Sequence, residues 1–520
     1  MARTRSRKQR RSRRPQVLQK PRGTFHPRVQ RVGPEHFGIV SVDPAKARSK
    51  WMLCDFYGKV LVPPTFVPHH RGELQAALAT LRDAVQTHGL KDLLVAVERT
   101  GRYHHPIKHA FAAAGFEVRI VHPFATKQFR QASDPGQKTD DTDLAAIHRA
   151  ASSGFALAEA PLDRPWRELQ LLVRHRRDLV HKSSALCCQI REHLDAALPG
   201  YAACFAELWE SPLALHLPRH LGSSQAIGQA GLEGLRARLR QDRVGFQERS
   251  LHRLLVWASQ APPPDVAAER HLAIALLLDD DRRQKRHEIQ ALEQQIAAHL
   301  TRTPYVLLLS FPGIHVVSAA DFAGEMGPIS HYANSRAITG RAGLYPSRYQ
   351  SDQVDHPHGP LVRCANRKLR ATILAIADNL LACNRHFAAL AAHWKAAGKD
   401  PRKTHVKVAA RFCRIAYQIV AGRQVFRHPS LPGRSYILQK LLDFQSQHQT
   451  PTAECLAQLQ AATDQLPRRE HAAEAAPLVR ALRHTRQARR RGPQPLGQIL
   501  PIVLARLGVT PVQSPESGDS

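Results

Sequence analysis

The sequence predicts an α/β domain near the amino terminus followed by a long, mainly α-helical remainder, and three observations predict it. From Phe37, apolar residues alternate along three short runs separated by turn residues, the pattern of half-buried strands. Beyond these, short apolar runs alternate with amphipathic stretches as far as about residue 131. From Arg164 onward the apolar residues recur every three or four positions, which is helical spacing.

Residues 1–34 are rich in Lys and Arg, contain no acid and carry scattered Pro, so they cannot form a core. They are expected to be a disordered basic arm that either touches phosphates or solubilises the chain. The strands FGIVSVDPAK, SKWMLCDF and VLVPPTFV follow, the second and third joined by a Tyr57-Gly58-Lys59 turn, and read as an antiparallel meander. A helix is predicted over 72–87, with Leu74, Leu78, Leu81 and Val85 on one face. Then come a strand at 92–98, a helix near 106–114, a strand at 117–121 and a helix near 125–131. The order β-β-β-α-β-α-β-α is that of a ribonuclease-H-like domain with a mixed sheet, placed at residues 35–160.

Acids fall where this architecture uses them. Asp43 lies late in the first strand and Glu98 late in the fourth, so their side chains are expected to converge on one sheet edge. Lys138-Thr139-Asp140-Asp141-Thr142-Asp143 opens the next helix, and Asp140 and Asp143, three apart, share one helical face. Three carboxylates in one turn repel each other, a penalty that a divalent cation reverses. Hard oxygen donors of this kind suit Mg2+ with phosphate as co-ligand. The alternative is that the acids are solvated loop and cap residues, with Thr139 or Asp140 as the N-cap.

A helical linker is expected over 161–303. Leu169, Leu172, Leu179, Leu186, Ile190 and Leu194 form a narrow apolar seam interrupted by Arg174, His175, Arg176 and Arg177. Such a seam pairs with another helix, in a coiled coil or in an ordinary antiparallel bundle. The Gly/Ser-punctuated stretch 221–230 and Ala261-Pro262-Pro263-Pro264 break the region before a helix expected at 279–300. Residues 211–281 exceed what a linker requires and have no assigned role. A second domain is placed at 304–430, with a Pro-Gly turn in LLLSFPGIHVVSAADFAGEMG, a polar stretch GRAGLYPSRYQSDQ, a helix from about Leu361 and a basic helix over 403–420. Val408, Phe412, Ile415 and Ile419 of that basic helix are expected to face inward. Residues 431–520 read as a basic tail, partly helical and then disordered, containing HTRQARRRGPQP. His356 and His358 have no cysteine partners nearby and do not make a zinc pair.

Composition narrows the partners. Lys+Arg 75 against Asp+Glu 43 gives a net charge of +32, which calls for a polyanion, most simply nucleic acid. An anionic membrane surface competes, but no apolar run reaches the roughly 18–20 residues that span a bilayer. Eight cysteines without a C-x-x-C pair suggest reduced thiols in the cytoplasm, and the Arg-rich start lacks the apolar core of an export signal.

With their flanking residues, Asp43 in SVDPAK, Glu98 in VERTG, and Asp140 and Asp143 in KTDDTD resemble the DEDD catalytic set of the insertion-sequence-110 (IS110) transposase family. The amino-terminal domain of that family is similar to the Holliday-junction resolvase RuvC. The resemblance runs from about Phe37 to Ala150 and resumes near Tyr305, where the Pro-Gly turn is similar to a helix-hairpin-helix element. Such a turn can offer backbone N–H groups to DNA phosphate. Two departures are Leu144, where the family more often has Ala, and His315, where it usually has a second Gly; the latter leaves a plain inter-helix turn as the alternative. The family's nucleophilic serine, in a Gln-Ser-Gly-like context, maps to Gln350-Ser351-Asp352, which makes Ser351 the candidate nucleophile and Ser347 the fallback. Arg348, Arg363, Arg367 and Arg370 either hold nucleic-acid phosphate or form a solvated face.

The resemblance implies a DNA transposase or site-specific recombinase that holds Mg2+ on Asp43, Glu98, Asp140 and Asp143 and works through a phosphoserine on Ser351. It also implies donor and target DNA, a structured guide (bridge) RNA, a coiled-coil linker supporting a homodimer or tetramer, and a prokaryotic, nucleoid-associated setting. Because acids and serine fall on different predicted domains, the active site has to be assembled. The rivals are a RuvC-like hydrolytic resolvase or nuclease and a catalytically inactive nucleic-acid-binding protein.

Overall fold

The computed structural model describes residues 26–478 except 160, 161, 353, 357, 358, 364 and 432, and the chain divides into two compact units, Met1–Pro161 and Leu162–Ser520. His358, the greater part of the basic arm and the HTRQARRRGPQP stretch lie outside the described residues.

In the first unit, α1 (His26–Val32) precedes the strands β1 (Phe37–Pro44), β2 (Arg48–Asp55) and β3 (Val60–Pro68). Then follow α2 (Arg71–Thr87), β4 (Asp92–Glu98), α3 (His104–Ala113), β5 (Val118–Val121), α4 (Pro123–Ser133), α5 (Asp140–Ser152) and β6 (Ala156–Leu157). They form one six-stranded sheet in the order β3-β2-β1-β4-β5-β6. The meander β1-β2-β3 is antiparallel, whereas β1, β4 and β5 run parallel, as their helical crossovers require. β1 is buried on both faces: Val40 and Val42 pack with Leu81, Ile107 and Phe111, while Phe37 and Ile39 pack with Leu94, Val121 and Ile147. Leu144, at the position where Ala is more usual, is fully buried against Met52 and Cys54.

Two features of this unit depart from the sequence reading. Residues 26–32, assigned to the disordered arm, fold as α1 because Val29 is buried in the core and the Arg28 guanidinium docks on Asp92 (Nε to Oδ2, 2.8 Å) and Glu117. The edge strand β6, antiparallel to β5, was not foreseen, since two residues cannot display a period.

The second unit is built on two 34-residue helices, α6 (Arg164–Ala197) and α10 (Ala268–Thr301). They run antiparallel: Arg176 near the start of α6 pairs with Glu293 near the end of α10, and Asp265, just before α10, donates its backbone N–H to Ala196 O (3.1 Å). At the far end they enclose a small bundle of α7 (Leu213–Leu221), α8 (Ser224–Gln241) and α9 (Glu248–Gln260) around Leu217, Ile227, Leu235, Leu251 and Leu254. The seam of α6 is thus filled within the chain. α10 begins eleven residues earlier than the expected 279, after the Pro-rich break, where Asp265 caps the backbone N–H of Ala267 (2.8 Å). The arginines that interrupt the α6 seam find partners internally: Arg174 makes a two-pronged bond to buried Glu325 (2.9 and 2.8 Å), Arg176 pairs with Glu293 (2.6 Å), and Arg177 donates to Thr372 (2.8 Å) with Asp321 3.8 Å away.

At the near end lies the largest core, with α11 (Val316–Met326), α12 (Ser335–Ala342), the hairpin β7 (Tyr349–Ser351) and β8 (Val354–His356), α13 (Arg367–Cys383), α14 (Arg385–Ala396), α15 (Pro401–Ala421), α16 (Ile437–Gln447) and α17 (Thr452–Gln465). Residues after 431, set apart in sequence as a tail, give Ile437, Leu441, Leu459 and Leu478 to this core. The helix expected from Leu361 starts at Arg367, because the Asn366 side chain caps Leu369 N (3.0 Å) and the preceding stretch runs back along 345–347. The Pro312-Gly313 turn is an inter-helix turn pinned from inside: Lys440 Nζ donates to Phe311 O (3.0 Å) and Ile314 O (2.9 Å), and Asn384 Nδ2 donates to Pro312 O (3.1 Å). The described cysteines are free thiols, and no described helix is long and apolar enough to cross a membrane.

Candidate active site

Parallel pairing of β1 with β4 puts Val42 beside Val97, so Asp43 and Glu98 stand next to each other where the two strands end. The third contribution comes from α5. Thr139 is its N-cap: its Oγ1 accepts from Thr142 N (3.2 Å) while Thr142 Oγ1 accepts from Thr139 N (2.9 Å), a reciprocal capping box. That box fixes Asp140, Asp141 and Asp143 in the first turn, where the helix dipole favours negative charge.

The three acids of that turn then diverge. Asp141 points to Lys50 (2.7 Å), the cross-strand partner of Asp43 on β2. Asp143 is buried and paired with Arg130 of α4. Asp140 stays exposed yet bears electrostatically on Asp43. Burial, reinforced by Asp143 and Asp140, raises Asp43 to about 6, with Lys138 and Lys50 opposing. Glu98 is raised to about 7 by burial and then by Asp43 and Asp143, with Thr126 and Arg130 pulling the other way. The four acids singled out in the sequence therefore share one electrostatic site. Crowded, half-buried carboxylates at a sheet edge are a donor set that a hard divalent cation fits, since it removes their mutual repulsion. Arg130 and Lys50 were missed. Lys50 could have been found from the meander register, which sets it opposite Asp43; nothing local marks Arg130.

The serine candidates belong to the second unit. Ser351 is exposed at the end of β7, next to Asp352, whose φ of 45° is the left-handed conformation that favours glycine. Ser347 is tied down instead: its hydroxyl donates to Pro360 O (3.0 Å), and its backbone pairs with Gly359 and Pro360. The four arginines split the same way. Arg348 is paired across the hairpin with Asp355 (3.0 and 2.7 Å), and Arg370 is bound to Ala342 O (2.8 Å) and Val362 O. Arg363 and Arg367 are exposed. The basic helix expected over 403–420 carries a further cationic face, which sequence reading did not single out for nucleic acid: Lys403, Lys407, Arg411 and Arg414 lie exposed along α15, a helix without a single acid.

A mixed sheet in this order, with carboxylates gathered where adjacent parallel strands end, defines the RuvC-like class of ribonuclease-H folds, here followed by a mainly helical region. Residues 40–199 match the family model of DEDD-type IS110 transposases, and residues 305–392 match that of the transposase IS116/IS110/IS902 family. These two matches support an IS110-family transposase, an enzyme that recombines DNA. No curated protein matches it.

Proposed function

We propose that this transposase cuts and rejoins DNA through a phosphoserine, with Asp43, Glu98, Asp140 and Asp143 holding Mg2+ and Ser351 as the nucleophile. The observation that carries the reading is the convergence of the acids, with Asp43 and Glu98 both pushed up by burial and by their acidic neighbours. Bound Mg2+ supplies Lewis-acid stabilisation of charge on the phosphate oxygens. Arg130 balances Asp143 on the side of α4, and Lys50 holds Asp141 out of the cluster.

The Ser351 hydroxyl gives up its proton to a base and bonds to phosphorus, while the bond from phosphorus to the leaving strand oxygen breaks and that oxygen takes a proton. The phosphodiester is conserved in the serine ester, so a hydroxyl of a second strand reverses the step without ATP. The exposed arginines Arg363 and Arg367 and the α15 cations contact the nucleic-acid backbone in this reading. Sequence choice rests with a structured guide RNA that pairs with donor and target DNA, and the protein works as a homo-oligomer. A net charge of +32 is compatible with both nucleic acids.

The test is incubation with DNA and Mg2+ followed by denaturation. A protein–DNA adduct that survives, is lost in Ser351→Ala and persists in Ser347→Ala supports the reading. Cleavage without an adduct identifies water as the nucleophile, and strand exchange unaffected by Glu98→Ala or Asp140→Ala removes the acids from the chemistry.

A further inference from the structure

The bundle at the far end of α6 and α10, in the stretch that the sequence left without a role, carries a second group of ligand-type side chains. His216 and His220 are four apart on α7 and so project from one face, and Asp242 caps the end of α8 beside them. Their ligand atoms all lie within 4.8 Å of one another. His216 Nε2 is 2.9 Å from Asp242 Oδ2, and His220 Nε2 is 3.9 Å from the same oxygen. A tetrahedral zinc ion, with bonds of about 2.0–2.2 Å, sets its ligand atoms roughly 3.3 Å apart. The two observed separations lie on either side of that value, and no pair of ligand atoms exceeds 4.8 Å, so rotations of the side chains bring the three to zinc-ligand spacing.

We propose that His216, His220 and Asp242 bind Zn2+ and staple α7 to the end of α8. Two imidazoles and one carboxylate suit zinc better than magnesium or calcium, which favour oxygen ligands alone. Water fills the fourth position, since these residues are only partly buried.

Without metal, an arginine occupies the cation's place. Arg238 Nε donates to Asp242 Oδ2 (2.7 Å), and its Nη2 lies 2.7 Å from His220 Nδ1. Arginine only donates, so His220 Nδ1 accepts there, and in the neutral ring the proton sits on Nε2. Zinc needs the Nε2 lone pair, which moves the proton to Nδ1 and turns the contact with Arg238 into two donors facing each other. Metal entry therefore expels Arg238, which has solvent to move into because its side chain is 41% exposed. Arg238 is a competitor for the site, and removing it strengthens zinc binding.

The experiment titrates Zn2+ alone into the full chain after chelator treatment, by calorimetry, with circular dichroism to check folding. In the Glu98→Gln background, which weakens Zn2+ uptake by the sheet-edge acids, a site of micromolar or tighter affinity is expected to remain, lost in His216→Ala, weakened at least about tenfold in His220→Gln, and tightened in Arg238→Met. Failure of the Glu98→Gln chain to bind Zn2+ at micromolar concentration overturns the proposal, as does unchanged binding in folded His216→Ala. Should His216→Ala not fold, His220→Gln and Arg238→Met decide: affinity equal to that of the background in both overturns it. The result is independent of the serine mechanism, since neither the acids of the sheet edge nor Ser351 take part.

Discussion

At the scale of single residues, the acids at the sheet edge were legible because a carboxylate closing an apolar strand has no place in a core. Of their counter-charges, Lys50 follows from the meander register, whereas Arg130 was not legible because it meets Asp143 only through tertiary packing. The raised values of Asp43 and Glu98, about 6 and about 7, have a consequence for pH. Each group binds its proton more tightly folded than unfolded, so its stabilisation is present below about pH 4 and is lost as pH rises toward 6 to 7. Mg2+ is therefore expected to raise the melting temperature more at pH 7.5 than at pH 5, and differential scanning fluorimetry at both values checks it. Removing Ser347 costs the hydrogen bond to Pro360, about 1 kcal/mol of stability, while leaving the DNA adduct intact. Ser351→Ala is expected to do the reverse, abolishing the adduct with no measurable change in melting. From the sequence the two serines differ only by flanking motif; the structure separates them by what each hydroxyl touches.

At the scale of elements, helical periodicity exposed the seam of α6 but not its partner, because α10 lies some seventy residues further on and its own apolar stripe is diluted by charge. The interruption at Arg174 to Arg177 looked like a polar break, and its three arginines are half-buried and reach carboxylates of the same unit, Glu325, Glu293 and Asp321. Val173 of α6 is fully buried in the same core as Ile296 of α10. Val173→Ala is expected to destabilise the second unit by about 1–3 kcal/mol, read from urea unfolding. The α15 stripe makes a separate prediction. Reversing Lys407 and Arg411 to Glu should weaken DNA binding at every sequence tested and flatten the dependence of log affinity on log salt by about 0.9 for each phosphate no longer neutralised. A change confined to one DNA sequence would argue that the stripe reads bases instead.

At the scale of the whole molecule, the order of strands and helices gave away the first unit, since alternation of periods survives in a single sequence. The second unit was harder. Its core is assembled from stretches as far apart as Leu169 and Leu478, so a boundary drawn from composition at 431 cut across it. If a guide RNA is bound, the purified chain should carry a discrete RNA species that RNase removes and whose loss ends target choice while leaving the fold intact. Sequencing of co-purified nucleic acid decides it, and a random sample of cellular RNA would point to charge alone.

The equal lengths of α6 and α10 have an architectural result. Each spans roughly 50 Å, and because they travel in opposite senses the chain comes back to the level from which it departed, next to the core that it left. Everything beyond residue 197 and before 268 is thus a detour, and trading it for a short connecting bend leaves the route of the polypeptide through the rest of the unit as it was.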